Sequence, residues 1–392
     1  MPTVVRGSRT TDGVSSSLIK RDVYEAIFNF EPYQTPLVQF YMANKLAKIR
    51  SGNPKVELQE DILVPHSTTA ASITGGSATE TITVATGTGK YFRAGTLVRN
   101  TSAAENYLVT ASPAADAVAM ATVGGGNMTA GTAVTLLIIG SAHAEGSASA
   151  QALSTQSTFP YNYLQNFKKA VHLSGTQLAT VNYGGDDWTN QRVKATKEFK
   201  LDIERNFIYG IRYLDTTATA NIWYTSGLLD TAGMGISDVS QYPGDAFATE
   251  AYFFNTYCKN LFAKGSGEKT LYCGSDAIAA INDYSKVKQQ TKVGEKEYGV
   301  DINAILTPFG RLNIQWHPQL EGEFANWAIG LDRNEYLKYA YLSNGEVNRD
   351  MQYQDNIGTP GTDERKSQYL AQIGLWLAGG GQGVHRTLYP GA

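Results

Sequence analysis

The sequence predicts an α+β protein in which one long helix serves a mixed lobe and a small β-barrel-like domain is carried as an insertion. Three observations lead there. Residues 186–211, DDWTNQRVKATKEFKLDIERNFIYGI, form the longest uninterrupted helical pattern in the chain. Residues 67–158 hold only seven charged residues in 92 and divide into short alternating strands separated by Gly, Asn, Pro and Asp. Beyond residue 215, helical and strand patterns mix with no repeat of fixed period, which disfavours solenoids and propellers.

The elements follow in chain order. Residues 15–30, SSSLIKRDVYEAIFNF, carry Ile19, Val23 and Ile27 at helical spacing behind serine caps, and Pro32 ends the pattern. The next stretch, YQTPLVQFYMANKLAKIRSGNP, places Thr35 and Pro36 as N-cap and first helical residue, and predicts a helix running to the stop at Gly52–Pro54. Two short helices with a linker make a poor domain alone, so this region reads as an arm that needs a partner surface. In the charge-poor stretch, ETITVAT, AGTLVRN, NYLVTA, AVAMATV and AVTLLII give five strands, enough for a small inserted barrel. Alternation of Ile82 with Val84, and of Val134, Leu136 and Ile138, argues against a low-complexity linker.

In the long helix, Gly184 and Gly185 break what precedes, Asp186 or Asp187 caps the orphan amides, and Ala195, Phe199, Ile203, Phe207 and Ile211 recur every four residues on one stripe. Arg192, Lys194, Lys197, Lys200, Glu204 and Arg205 lie mostly off it, with Lys194–Glu198 and Lys200–Glu204 spaced to pair. At about 1.5 Å per residue the rod is roughly 40 Å long, the width of a domain. Downstream, TEAYFFNTYCKNLFAKG reads as a helix closed by Gly265, TLYCG as a buried strand and SDAIAAINDYSKV as a capped helix. VDINAILTPFGRLNIQWHP reads as a hairpin turning at Pro308–Gly310, NWAIGLD as a strand, and SQYLAQIGLWLAGGGQGVHRTL as an extended apolar segment with a glycine-rich interruption.

Composition narrows the function. At 392 residues more than one core is expected. Hydrophobic residues make up 42% and charged residues 18%, the latter below the roughly 25% of ordinary soluble domains. A net charge of −3 supplies no broad positive field for nucleic acid. Twenty-three tyrosines suit either sheet packing or contacts between proteins. Cys258 and Cys273 are too few for a disulfide framework or a four-ligand zinc site and are expected to be buried thiols. No run approaches the roughly 20 apolar residues of a membrane span, and no leader pattern opens the chain, so a soluble protein made inside the cell is expected.

Catalytic signatures are missing. TGTGKY around Lys90 has Val84 where a phosphate loop needs its first glycine and Tyr91 where it needs Ser or Thr. Asp230–Gly233, DTAG, reads as an ordinary turn. There is no nucleophile elbow, no HExxH pair and no CxxC. His66, His143, His172, His317 and His385 are scattered singly, as core or surface residues are. The carboxylate pairs Asp186 with Asp187, Glu321 with Glu323 and Asp363 with Glu364 could in principle serve a glycosidase, but the first is explained by helix capping and the other two sit in polar loop contexts. No catalytic, cofactor-binding or metal-binding residue and no cofactor is assigned. An arm, a large weakly charged excursion, a rod and a mixed lobe without chemistry suit a self-assembling shell subunit, whose apolar limbs are buried on neighbouring copies.

The ordered set EPYQTPLVQFY, SAHAEGSASA, YNYLQNFKKAVHLSGTQLATVNYGG, KEFKLDIERNFIYG and LTPFGRLNIQWHP followed by AIGLD resembles the major capsid proteins of tailed bacteriophages with the Hong Kong 97-like (Johnson) fold, and is similar to the phage SU-ten major head protein family. Each motif is short; order and spacing across most of the chain carry the likeness. The resemblance implies an N-terminal arm (1–50), an E-loop region (51–165) with an inserted β-domain at about 77–140, and a P-domain (166–214) with its spine helix at 186–212. It further implies a mainly A-domain segment (215–350) and a C-terminal return to the P-domain (351–392). It implies hexamers and pentamers of an icosahedral virion shell around double-stranded DNA, assembled in the host cytoplasm. Expected partners are further copies of the chain, portal and scaffolding proteins, a decoration protein, and packaged DNA touched weakly and without sequence specificity; no membrane is involved.

Two departures from the family pattern bear on assembly. The founding member crosslinks its subunits through an E-loop lysine, whereas between Lys55 and Lys168 this chain has only Lys90, inside the insert, so a non-covalent shell is expected. The chain also opens almost directly on the arm, without a long charged prosegment, so a separate scaffold is expected. The competing readings are an encapsulin-like nanocompartment shell, a tail or fibre protein, and a carbohydrate-active enzyme using Glu321, Glu323 and Asp363.

Overall fold

A computed structural model describes residues 34–43, 48–113, 115–181, 185–217, 219–242, 247–288 and 304–390. Helix α1 (Pro36–Ala43) is followed by β1 (Lys48–Ser51) and β2 (Lys55–Glu57). Then come β3 (Ser67–Ile73), β4 (Thr79–Val84), β5 (Thr96–Asn100), β6 (Asn106–Val109), β7 (Ala117–Thr122) and β8 (Gly131–Ser141). They are succeeded by β9 (Tyr161–Tyr163), β10 (Gln165–Ser174), the short α2 (Gly175–Ala179) and the long α3 (Asp187–Tyr209). Strands β11 (Tyr213–Asp215), β12 (Ile222–Tyr224) and β13 (Val239–Tyr242) lead to a helix in three parts: α4 (Glu250–Tyr252), a π-helical turn (Phe253–Cys258) and α5 (Lys259–Leu261). The chain continues through β14 (Glu268–Cys273), α6 (Ser275–Lys288), β15 (Ala304–Thr307), β16 (Gly310–Trp316), β17 (Ala328–Leu331), β18 (Leu337–Leu342), β19 (Gln352–Gln354), β20 (Glu364–Leu377) and β21 (Arg386–Pro390).

Two compact units result: residues 59–159 form one, and the chain before and after them forms the other. In the larger unit, one sheet has the order β1-β18-β20-β10, with β19 also on β20. Along β10, Phe167 and Val171 point inward while alternate residues are exposed, the period of a half-buried strand. Helix α3 lies on that sheet: Phe199, Ile203 and Phe207 join Phe167, Tyr339, Ala371, Ile373 and Leu375 in one core. Lys169 of β10 reaches Glu198 (3.0 Å) and Asp202 (3.7 Å) of the helix. A second, mixed sheet has the order β13-β21-β17-β14-β16-β15, and the three-part helix and α6 bury Phe253, Tyr257, Leu261, Ala277 and Ile281 against Leu271, Cys273, Leu312 and Ala328.

Helix α3 follows its sequence closely. Asp186 accepts from the amides of Trp188 and Thr189 (both 3.3 Å), so the first of the two aspartates is the cap. Ala195, Phe199, Ile203 and Phe207 are buried as the period requires, and Lys194 and Glu198 pair at 3.9 Å. Two details differ from expectation. The helix ends at Tyr209 rather than 211: Gly210 turns to an extended conformation (φ −61°, ψ 148°) and its carbonyl accepts from the Gly227 amide (2.8 Å), so Ile211 is outside the helix and 69% exposed. Glu204 is fully buried instead of pairing with Lys200 on the surface.

The N-terminal region shows a larger difference. Pro36–Ala43 is helical, but Lys48–Ser51 is a strand pairing in parallel with Tyr339–Leu342 of β18, so the expected helix does not reach Gly52–Pro54. The ladder it forms with β18 outweighs the modest helix preference of the stretch. The helical pattern at 15–30 lies outside the described residues. Gly265, expected to close the helix at 250–264, follows its end at Leu261 by four residues and has φ +83°.

The smaller unit is a closed barrel in the order β3-β4-β7-β6-β5-β8. Ile82, Val84, Val98, Tyr107, Val118, Met120, Val134 and Leu136 fill it, with Phe92 and Met128 contributed by connections. Residues 67–73, STTAASI, supply a sixth strand beyond the five expected. Its small side chains give little hydrophobic signal: Thr68, Ala70 and Ile73 face inward, and the register shifts between Ala70 and Ser72. Within the barrel the Asn100 side-chain amide donates to the Tyr107 hydroxyl (2.9 Å), which donates to Glu105 (2.8 Å).

Candidate assembly surfaces

The seat of helix α1 is built from three distant parts of the chain. The backbone amides of Leu37 and Val38 donate to Oε1 and Oε2 of Glu204, each at 2.8 Å. His317 Nε2 lies 2.8 Å from Glu204 Oε1, and the Gln319 amide donates to His317 Nδ1 at 3.2 Å. Because Nδ1 accepts, Nε2 carries the hydrogen and donates to the carboxylate. Glu204, His317, Leu37 and Val38 are all at most 1% exposed. Tyr41 of α1 packs with Phe207 and Tyr339, and the Arg333 guanidinium stacks over Phe40 at 4.7 Å. Burial pushes the Tyr41 phenol well above its ordinary range.

A second buried polar group ties the other sheet together. Lys269 of β14 is 1% exposed and its ammonium donates to the carbonyls of Leu261, Lys264 and Val384. Burial lowers it to about 8, against the opposing pull of Asp332. His385 is fully buried; its Nδ1 accepts from the Asp332 amide and its Nε2 donates to the Ala378 carbonyl, both at 3.1 Å. Cys258 and Cys273 are free, buried thiols, the former pushed up to about 12 by burial.

Large apolar side chains nevertheless stand in solvent. In the smaller unit these are Ile62, Leu63 (93% exposed), Val123, Ile139 and Phe159. Residues 139–152 are exposed throughout, and 142–157 contain no helix or strand. In the larger unit Val181 (99%), Leu306 (85%), Ile211, Tyr213, Ile222 and Phe309 are exposed. The β11–β12 hairpin and the β10–β20 sheet face bound an open groove of about 440 Å³, lined by residues that include Asn166, Lys168, Trp223, Tyr224 and Gln372.

The residues weighed for chemistry fall elsewhere. In TGTGKY, the Gly87 and Gly89 amides donate to Asp116 (2.9 and 3.0 Å), which holds that carboxyl below its ordinary range; the loop's donors serve the barrel. Asp230 of DTAG accepts from the amides of Gly233 (3.0 Å) and Arg212 (2.8 Å) and makes a turn. His172 pairs with Glu364 at 2.5 Å, His66 and His143 are exposed, and Glu321, Glu323 and Asp363 are exposed, Glu323 on a 3₁₀ turn (Gly322–Phe324) and the other two on loops. Among the described residues no cluster of His, Cys, Asp and Glu is arranged to hold a metal, and no helix is long and apolar enough to cross a membrane. The Glu204 seat was not legible beforehand, since its members lie 113 and 167 residues away.

The described architecture is matched by known capsids. The capsid asymmetric unit of cyanophage A-1(L) superposes with a TM-score of 0.54 at 11% identity, covering 97% of this chain and 99% of that one. The capsid of the empty GTA particle gives 0.50 at 10% identity, covering 98% of each chain. The holo-SrpI encapsulin complex of Synechococcus elongatus PCC 7942 gives 0.41 at 11% identity over 59% of this chain and 75% of that one. At such identities the likeness is one of fold, the α+β capsid fold with its barrel insertion. No curated protein matches in sequence. The family model of the SU10 major capsid protein matches residues 7–378, nearly the whole length, and the chain belongs to that family.

Proposed function

We propose that this major capsid protein assembles through hexamers and pentamers into the icosahedral head of a tailed phage, enclosing double-stranded DNA. The observation that carries the reading is the set of exposed apolar side chains on segments without a partner surface in their own unit, above all Leu63 and Phe159 beside the irregular stretch 142–157. Leaving such side chains in water forgoes roughly 1.5–3 kcal/mol each, which contact with sister copies recovers.

In this reading residues 1–50 are the arm, 51–165 the E-loop region with its barrel, 166–214 the P-domain carrying α3 as spine, 215–350 mainly the A-domain, and 351–392 the return to the P-domain. Neighbouring E-loops lie across the spine. The shell holds without covalent crosslinks and is raised on a separate scaffolding protein at a portal. It forms in the host cytoplasm, offers its outer face to a decoration protein, and touches the packaged DNA weakly. The family's role is structural, and catalysis forms no part of the reading.

Negative-stain electron microscopy of the expressed chain, with and without a co-expressed scaffold, tests it. Closed particles with sixfold and fivefold capsomers are expected when scaffold is present. Dispersed single subunits in both preparations would refute the shell, and uniform particles from the chain alone would remove the need for a scaffold.

A further inference from the structure

We propose that Glu204, supported by His317, is the positioning residue that sets the register of the N-terminal arm, its carboxylate being a socket that accepts the first turn of α1 in one placement only. The inference rests on the shell reading for its consequence, because arm placement matters most when neighbouring copies must be met in a fixed geometry.

The argument starts from desolvation. A carboxylate sealed from water must have its acceptor sites filled by donors. Glu204 is completely buried on α3, and its donors are the Leu37 and Val38 amides and His317. Two of the three therefore belong to α1. Those two amides are among the four that the start of any helix leaves without an intrahelical partner, and the positive end of the helix dipole adds to their attraction for an anion. The match is reciprocal: α1 supplies donors that Glu204 lacks, and Glu204 supplies the acceptor that the start of α1 lacks.

An apolar groove alone would let a short helix slide. Here two carboxylate oxygens meet two consecutive amides, so moving α1 by one residue breaks both bonds and withdraws Tyr41 from Phe207 and Tyr339. His317 carries the setting further. Its Nδ1 is held by the Gln319 amide, and the Leu320 amide donates to the His317 carbonyl (3.0 Å), so the turn after β16 is fixed by the same carboxylate that fixes the arm. The other charged or titratable groups facing the socket are the Tyr41 and Tyr272 phenols and the Arg333 guanidinium. Arg333 stacks on Phe40 and donates to the Tyr272 hydroxyl (3.3 Å), while the Tyr272 ring meets that of His317 edge-on. The position thus needs an acceptor on both oxygens, and a neutral amide supplies only one.

Glu204→Gln tests this in the full chain. Hydrogen exchange by mass spectrometry on unassembled subunits should find the peptide covering residues 36–43 exchanging about ten- to a hundredfold faster, as expected for losing one hydrogen bond to a charged acceptor. Peptides from the barrel, from β15 and from β17 should keep their wild-type rates. Unchanged protection at 36–43, or equal acceleration everywhere, would overturn the proposal, the second because it marks Glu204 as generally structural. If Glu204→Gln does not fold, His317→Gln is measured instead, because it keeps both carboxylate acceptors and removes only the ring that holds Oε1 of Glu204 in place. Selective acceleration at residues 36–43 and 317–320 then supports the socket, and uniform acceleration or none overturns it. The measurement precedes assembly, so loss of the socket leaves the shell reading standing, and absence of particles in the microscope leaves the socket standing.

Discussion

Acidification from pH 7 to 4.5 should weaken the larger unit through His385. The imidazole is fully buried, accepts at Nδ1 from the Asp332 amide and donates from Nε2 to the Ala378 carbonyl, an arrangement that requires the neutral ring. Burial lowers its pKa from the ordinary 6.5 to about 4, with the nearby Lys269 charge acting in the same direction. The folded value lies below the unfolded one. The unfolded chain therefore binds a proton as pH falls through 6.5 while the folded chain does not until about 4, so stability is intact above 6.5 and declines across that window. Each pH unit in the window costs about 1.4 kcal/mol, and the whole of it about 3 kcal/mol. Urea unfolding of soluble subunits at intervals between pH 7 and 4.5, followed by tryptophan fluorescence, measures the decline. His385→Asn keeps an acceptor for the Asp332 amide but does not titrate; it should be less stable at pH 7 and lack this component of the slope. Asp116, Asp186, Glu80 and Glu105, all held below their ordinary range, lose their contributions only at lower pH. Parallel pH profiles for the wild type and His385→Asn would refute the reasoning.

Other outcomes follow from the same structure. Phe207→Ala removes a fully buried ring that meets Tyr41 and Tyr339, and should cost about 3–5 kcal/mol in subunit unfolding; a loss below about 1 kcal/mol would mean the spine does not organise this core. Asp186→Ala removes the cap on the Trp188 and Thr189 amides and should lower the midpoint in thermal unfolding, while Asp186→Asn, which keeps an acceptor, should lower it less. Assembled particles boiled in detergent should run as a single 42.5 kDa band, and a ladder of multimers would contradict a non-covalent shell.

How much of this was legible in the sequence depended on whether the signal was local. The spine could be read because its buried residues recur every four positions behind its cap; Ile211 and Glu204 were misplaced, the first because the helix ends where the Gly210 carbonyl accepts from the Gly227 amide, outside the local pattern. Five barrel strands announced themselves through Ile, Val, Leu and Met on alternate positions. The strand at 67–73 did not, because Thr68 and Ala70 fill the interior with little apolar mass and the barrel supplies the rest. Lys48–Ser51 read as helix because nothing nearby reveals that β18, nearly three hundred residues later, offers it a parallel ladder. The assembly surfaces were legible only in outline: the low charge of residues 67–158 was plain, but which apolar side chains remain in water is decided by the packed structure. Glu204 is the instructive failure. Its place in a run of charged residues suggested an exposed ion pair with Lys200, whereas it is buried by α1 and His317, neither of which local periodicity can bring near it.

Sedimentation velocity of the chain at high concentration, with a scaffolding protein supplied, tests the central claim most directly. The exposed apolar limbs predict that monomer is depleted in favour of capsomers and of closed shells sedimenting far faster than any single subunit. A compact monomer that persists unassociated under those conditions would contradict the account.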